Sequence, residues 1–130
     1  LMRRLDVGMR AGIMAMDHDR IGPLGTMILT QLANIEPTSV QKLVDAMGRD
    51  NSQMTRAINK LESRGMLRRS RDANDGRVTV LSLTEKGHAY VDEVHSIMAA
   101  VIADVLAALS QEEQEQFVAL LIKLSRARST

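Results

Sequence analysis

Residues 51–87 read NSQMTRAINKLESRGMLRRSRDANDGRVTVLSLTEKG, and the hydrophobic period changes inside that stretch. From Asn51 to Arg64 the apolar residues Met54, Ala57, Ile58 and Leu61 recur at three- and four-residue spacing, the pattern of one buried helical face. Gly65 stops that helix. The period then drops to two. Met66 to Arg71 and Val78 to Leu83 are expected as two short strands, joined by the charged, turn-rich tip Asp72-Ala73-Asn74-Asp75-Gly76-Arg77. A short helix, a tight turn, a second helix and a basic hairpin together predict a winged helix-turn-helix.

Upstream, Val40, Leu43, Val44 and Met47 give the short preceding helix its inward face. Thr38-Ser39-Val40-Gln41 forms a capping box at its start, and Gly48 is its expected C-cap. Asp50 or Asn51 then caps the helix of the opening stretch. Before Pro37, a helix beginning near Pro23 is expected to bury Leu24, Met27, Ile28, Leu32 and Ile35. Residues 2–16 space Met2, Leu5, Met9, Ile13 and Met16 as a further helix. Gly8 and Gly12 each weaken it by ~1 kcal/mol relative to alanine, so it needs packing partners to persist. Downstream, Thr84 caps a long helix running to about Leu109, with Tyr90, Val91, Val94, Ile97, Met98, Val101, Val105 and Leu109 as its stripe. Ser110-Gln111-Glu112-Glu113 opens the last helix, with Phe117, Leu120, Leu121 and Leu124 inward. The expected fold is mainly α with a small β-hairpin wing: a winged helix-turn-helix plus dimerisation helices. The 130 residues form one domain, with a DNA-binding lobe at 23–84 and dimerisation helices at 1–20 and 88–126.

Opposite the Met54–Ile58–Leu61 stripe lie Ser52, Arg56, Asn59 and Ser63, flanked by Gln53, Thr55 and Lys60. That face carries cations, amides and hydroxyls but no carboxylate for phosphate to repel, and such a helix fits a DNA major groove. The hairpin adds Arg69, Arg71 and Arg77, and Ser39 at the start of the preceding helix completes the candidate DNA contacts. Charge follows the same division. Residues 49–77 carry eight basic and four acidic side chains, whereas residues 85–124 carry two basic and seven acidic, within a chain of net charge +1. The rival reading is a winged helix used only for protein–protein contact; such modules lose the cations and small polar residues of the reading helix, which are present here. An enzyme is not expected. The chain has no phosphate-binding glycine loop, no Gly-x-Ser-x-Gly, no cysteine and no paired-carboxylate signature.

The stretch from Gly65, GMLRRSRDANDGRVTVLSLTEKG, resembles the wing of the MarR family, whose pattern is roughly G-L-V-x-R-x-x-D-P-x-D-R-R-x-x-x-V-x-L-T-x-x-G. NSQMTRAINKLESRG resembles that family's recognition helix, with a T-R-x-[apolar]-x-x-L-E-x-x-G core. The resemblance is strong over residues 38–87. It implies a homodimeric repressor that binds a pseudo-palindromic operator and responds to a small anionic or aromatic effector. It also implies that Arg77 is the wing arginine at the minor groove, that Asp75 orients it, and that Arg69 is the basic residue of the first wing strand. The sequence departs from the pattern at Gly76, usually arginine, and at Ala73, often proline. The resemblance therefore implies one wing cation fewer and a more flexible tip, with Arg71 as a substitute charge.

The homodimer also follows from the apolar stripes of the first, fifth and sixth helices, which are longer than one small winged core can cover. His88, Asp92 and His95 share one side of the long helix, and Asp17-His18-Asp19 forms a second ligand-like cluster. Both are better explained as a solvated face and a turn, so no metal or cofactor is expected. Nine methionines are core filler or the lining of an adaptable pocket, and only Tyr90 and Phe117 are aromatic, which disfavours single-strand binding by base stacking. No apolar run reaches membrane-spanning length and the chain starts without an apolar signal segment, so a cytoplasmic protein is expected.

Overall fold

The computed structural model describes residues 1–127. They run α1 (Met2–Met16), α2 (Gly22–Ile35), β1 (Thr38–Ser39), α3 (Val40–Met47), α4 (Asn51–Ser63), β2 (Leu67–Arg71), β3 (Thr79–Leu83), α5 (Glu85–Leu106) and α6 (Gln111–Ala127). The strands form one antiparallel sheet in the order β1-β3-β2, with Leu67 opposite Leu83, Arg71 opposite Thr79 and Thr38 opposite Leu81. This is the mainly helical, winged architecture expected from the sequence.

Short polar side chains fix where the helices begin, by accepting from backbone N–H groups that have no partner within the helix. Both carboxylate oxygens of Asp17 accept at the start of α2, from Ile21 N at 2.7 Å and Gly22 N at 2.8 Å. Asp50 Oδ1 accepts from Ser52 N and Gln53 N at the start of α4, and Thr84 Oγ1 from Gly87 N at the start of α5. At α6 the capping box is reciprocal: Ser110 Oγ accepts from Glu113 N, while Glu113 Oε1 accepts from Ser110 N. The bond from the Ser110 backbone, then that with its side chain, holds the Glu113 carboxyl below the ordinary glutamate value. Gly48 closes α3 in the left-handed region at φ +62°.

Ile28, Leu29 and Leu32 of α2, Leu43 of α3, and Met54, Ile58 and Leu61 of α4 meet Met66, Leu67, Leu81 and Leu83 at the base of the wing. Tyr90, Val91 and Val94 of α5 close that core. Thr26 donates to Gly22 O, so the Tyr90 hydroxyl donates the 2.8 Å bond that joins it to Thr26 Oγ1. Burial raises the Tyr90 pKa and keeps the phenol neutral for that role. Gly8 and Gly12 are points of close approach between α1 and α5. A Cβ on Gly12 would lie 2.5 Å from Ile97 Cγ2, and one on Gly8 3.0 Å from Val101 Cγ1.

Five expectations need correction. Ser39, not Thr38, caps α3, because Thr38 is drawn into β1 against Leu81. The two hairpin strands begin one residue late, at Leu67 and Thr79. The α5 helix ends at Leu106 rather than near Leu109. Met27 is 45% exposed, because α2 turns Ile28, Leu29 and Leu32 inward and leaves Met27 beside Arg49. The apolar stripe of α6 is not buried: Phe117, Leu120, Leu121 and Leu124 all face solvent, since nothing among the described residues covers them.

Candidate nucleic-acid interface

The α4 helix rests on the core through Met54, Ile58 and Leu61, which fixes its rotation and turns Ser52, Gln53, Thr55, Arg56, Asn59 and Ser63 outward. Asp50 spends its carboxylate on the helix N-terminus, so the first turn of α4 presents no free anion. Arg56 has no hydrogen-bond or ion-pair partner among the described residues. The side chains of Ser52, Gln53 and Thr55 are likewise exposed. With Asn59 and Ser63 they form a face of donors and acceptors about three turns long, the size that enters a major groove.

The remaining candidates are engaged within the fold. The Lys60 ammonium donates to the carbonyl of Arg20 in the α1–α2 turn, so it leans away from the Arg56 face and ties α4 to that turn. Ser39 Oγ accepts from Lys42 N as the α3 cap. Arg69 lies on the same side of β2 as buried Leu67 and reaches back to α4. Its Nη2 donates to Asn59 Oδ1 at 2.6 Å and its Nε to Glu62 Oε1 at 3.2 Å. Glu62 is thus a carboxylate at the edge of the outward face of α4, paired with Arg69. Its signal in the sequence was weak, because it lies between the buried stripe and the opposite face.

At the wing tip, Arg71 Nη1 donates across the hairpin to Gly76 O at 2.6 Å. Arg71 therefore braces the tip instead of standing free beside Arg77. Asp72 Oδ1 accepts from Asn74 N, and Asp75 Oδ1 accepts from Arg77 N at 3.1 Å and Arg77 Nε at 3.2 Å. The Arg77 side chain is nevertheless 92% exposed. Two further exposed cations, Arg49 in the α3–α4 turn and Arg68 on the outer side of β2, were not singled out in the sequence. Neither stands on the outward face of α4.

The ligand-like clusters have other partners. His88 Nε2 lies 3.2 Å from Glu36 Oε1, and Asp19 pairs with Lys86 at 3.2 Å. Among the described residues no group of three or more His, Asp or Glu side chains is placed to hold a metal. No helix among them is long and apolar enough to cross a membrane.

Four known proteins or families are similar to this chain. The MarR family pattern matches residues 25–79. An uncharacterized HTH-type transcriptional regulator of Bacillus subtilis, YkoM, is 34% identical over 101 residues, which is 78% of this chain and 66% of that protein. This chain thus spans just under two thirds of that relative's length. A MarR family protein from Bacillus stearothermophilus superposes with a TM-score of 0.82 at 25% identity, covering 99% of this chain and 88% of that one. The PcaV transcriptional regulator of Streptomyces coelicolor, solved with its natural ligand, superposes with a TM-score of 0.53 at 26% identity, covering 79% of this chain and 73% of that one.

Proposed function

The chain belongs to the MarR family, and from that premise we propose that it is a transcriptional regulator, not an enzyme, that binds double-stranded DNA as a homodimer and represses at a pseudo-palindromic operator. The observation that carries this reading is the α4 face. It is exposed along its length, fixed in rotation by three buried side chains, and equipped with an unpartnered Arg56 beside Gln53, Thr55 and Ser52. In this reading Arg56 makes the bidentate contact with a base edge, and Arg77 meets the minor groove or phosphate on the flank.

The dimer is supported by what one protomer leaves uncovered. The 17 residues of α6 include none that is buried, although Phe117, Val118, Leu120, Leu121, Ile122 and Leu124 are large and apolar. Helices in proteins draw most of their stability from packing such an apolar face. Met2, Val7 and Met14 of α1 are exposed as well. A second copy packed on α1, the end of α5 and α6 covers these faces and sets two α4 helices side by side. We extend the proposal to response to a small anionic or aromatic effector, as PcaV is a relative in fold that binds a ligand. DNA-bound regulators of this kind work in the cytoplasm.

Selection of binding sites from genomic fragments, followed by footprinting, tests the proposal. The expected result is a two-fold-related sequence with half-sites about one helical turn, ~34–36 Å, apart. Protection of a single half-site, or of sequences with no two-fold relation, contradicts it.

A further inference from the structure

The contact between β2 and α4 bears on which base the reading helix selects. A guanidinium has only N–H donors, so the atom of Asn59 that meets Arg69 Nη2 at 2.6 Å must be the carboxamide oxygen. The orientation of this amide is thereby fixed by chemistry. Arg69 is itself held, since its Nε donates to Glu62 Oε1 and its side chain is only 34% exposed. Asn59 Nδ2, with two hydrogens, has no partner among the described residues and stands on the exposed side of α4.

We propose that Arg69 is a positioning residue that holds the Asn59 carboxamide with its oxygen turned toward the wing, so that Asn59 offers DNA only donors and selects guanine over adenine. The proposal rests on the DNA-reading role of α4. A free asparagine prefers adenine, whose N7 accepts from the amide nitrogen while its N6 amino group donates to the amide oxygen. Here that oxygen already accepts from a cation. An adenine amino group brought to its second lone pair sets its hydrogens against the remaining N–H groups of Arg69. Guanine presents two acceptors, N7 and O6, and meets the donor-only surface of Asn59 and Arg69 without that conflict. The Glu62 carboxylate holds the same cation from its other side, through Oε1 and Arg69 Nε.

The test is binding-site selection from a randomised duplex library with the full chain and two variants, Asn59→Ala and Arg69→Met. Asn59 is exposed in a helix that alanine favours, so Asn59→Ala tests the proposal even if Arg69→Met does not fold. The wild type is expected to select guanine at one position per half-site, by about tenfold over adenine. That preference should vanish in Asn59→Ala and move toward adenine in Arg69→Met, with the other positions of the half-site unchanged. An Asn59-dependent adenine in the wild-type site, or a half-site in which no selected guanine is lost on Asn59→Ala, overturns the proposal and leaves DNA reading by α4 standing. A wild type that enriches no sequence overturns the DNA-reading role and the proposal together.

Discussion

Replacing Gly87 by alanine isolates the joint between the wing and α5. A Cβ at Gly87 would lie 2.0 Å from the carbonyl oxygen of Met66 and 3.1 Å from its carbonyl carbon. Ordinary non-bonded contacts lie at ~3.5–4.0 Å, so the chains must separate by more than ~1 Å to admit the methyl group. The obstacle is backbone, and it cannot rotate aside. Met66 O also accepts from Thr84 N at 3.1 Å, and Gly65 O accepts from the Thr84 hydroxyl. Moving the start of α5 therefore strains the bonds that hold its cap residue Thr84 to the wing, and it lifts Tyr90 and Val91 from the core. Overpacking of this kind costs ~3 kcal/mol or more, which at this chain length lowers Tm by about 12 °C. Gly76→Ala is the internal control, since nothing lies within 4 Å of a Cβ there; it should leave Tm unchanged or raise it slightly. Thermal unfolding followed by circular dichroism, at one protein concentration because a dimer's Tm depends on it, reads both. A Gly87→Ala protein within 2–3 °C (roughly 0.7 kcal/mol) of the wild type would refute the close approach of α5 to Met66.

Four further outcomes are expected. Arg77→Ala removes a wing cation that is 92% exposed; if each Arg77 meets one phosphate, the slope of log K against log salt should shrink by about 1.8 per dimer, seen in a salt titration of duplex binding. Arg56→Ala should relax preference at one or two positions per half-site in binding-site selection, by ~1–3 kcal/mol of discrimination. Leu121→Asp places a charge on the uncovered stripe of α6 and should shift the sedimenting species from two chains toward 14.4 kDa at micromolar concentration. The Glu113 carboxyl is depressed by Ser110, so its contribution to the α6 cap is present above the ordinary glutamate pKa and is lost as pH falls through the lower, folded value. Ser110→Ala should raise the Glu113 pKa in an NMR titration.

The helices were legible because their signals are local. Ser110 and Glu113, Asp50, Thr84 and Gly48 cap in the structure as their spacing in the chain implies. The hairpin was legible from its change of period. The β1 strand was not, because two residues carry no periodicity and Thr38 pairs with Leu81, more than forty residues away. The outward face of α4 followed from its buried stripe, but the partners of its polar residues did not. Lys60 bonding Arg20 O, Arg69 bonding Asn59 and Glu62, and Arg71 bonding Gly76 O are tertiary contacts with no spacing rule. The stripe of α6 was read correctly as apolar and wrongly as inward, since composition alone does not say which chain covers a face.

Duplex affinity measured against salt concentration tests the central claim most directly. Fluorescence anisotropy of a labelled duplex bearing the selected site should give log K falling linearly with log salt, with a slope of about −4 or steeper if each protomer neutralises two or more phosphates. At equal salt, a scrambled duplex should bind at least ~10³-fold more weakly. Affinity that does not change with salt, or equal affinity for the two duplexes, would contradict a sequence-reading DNA-binding protein and favour a winged helix used for protein contact.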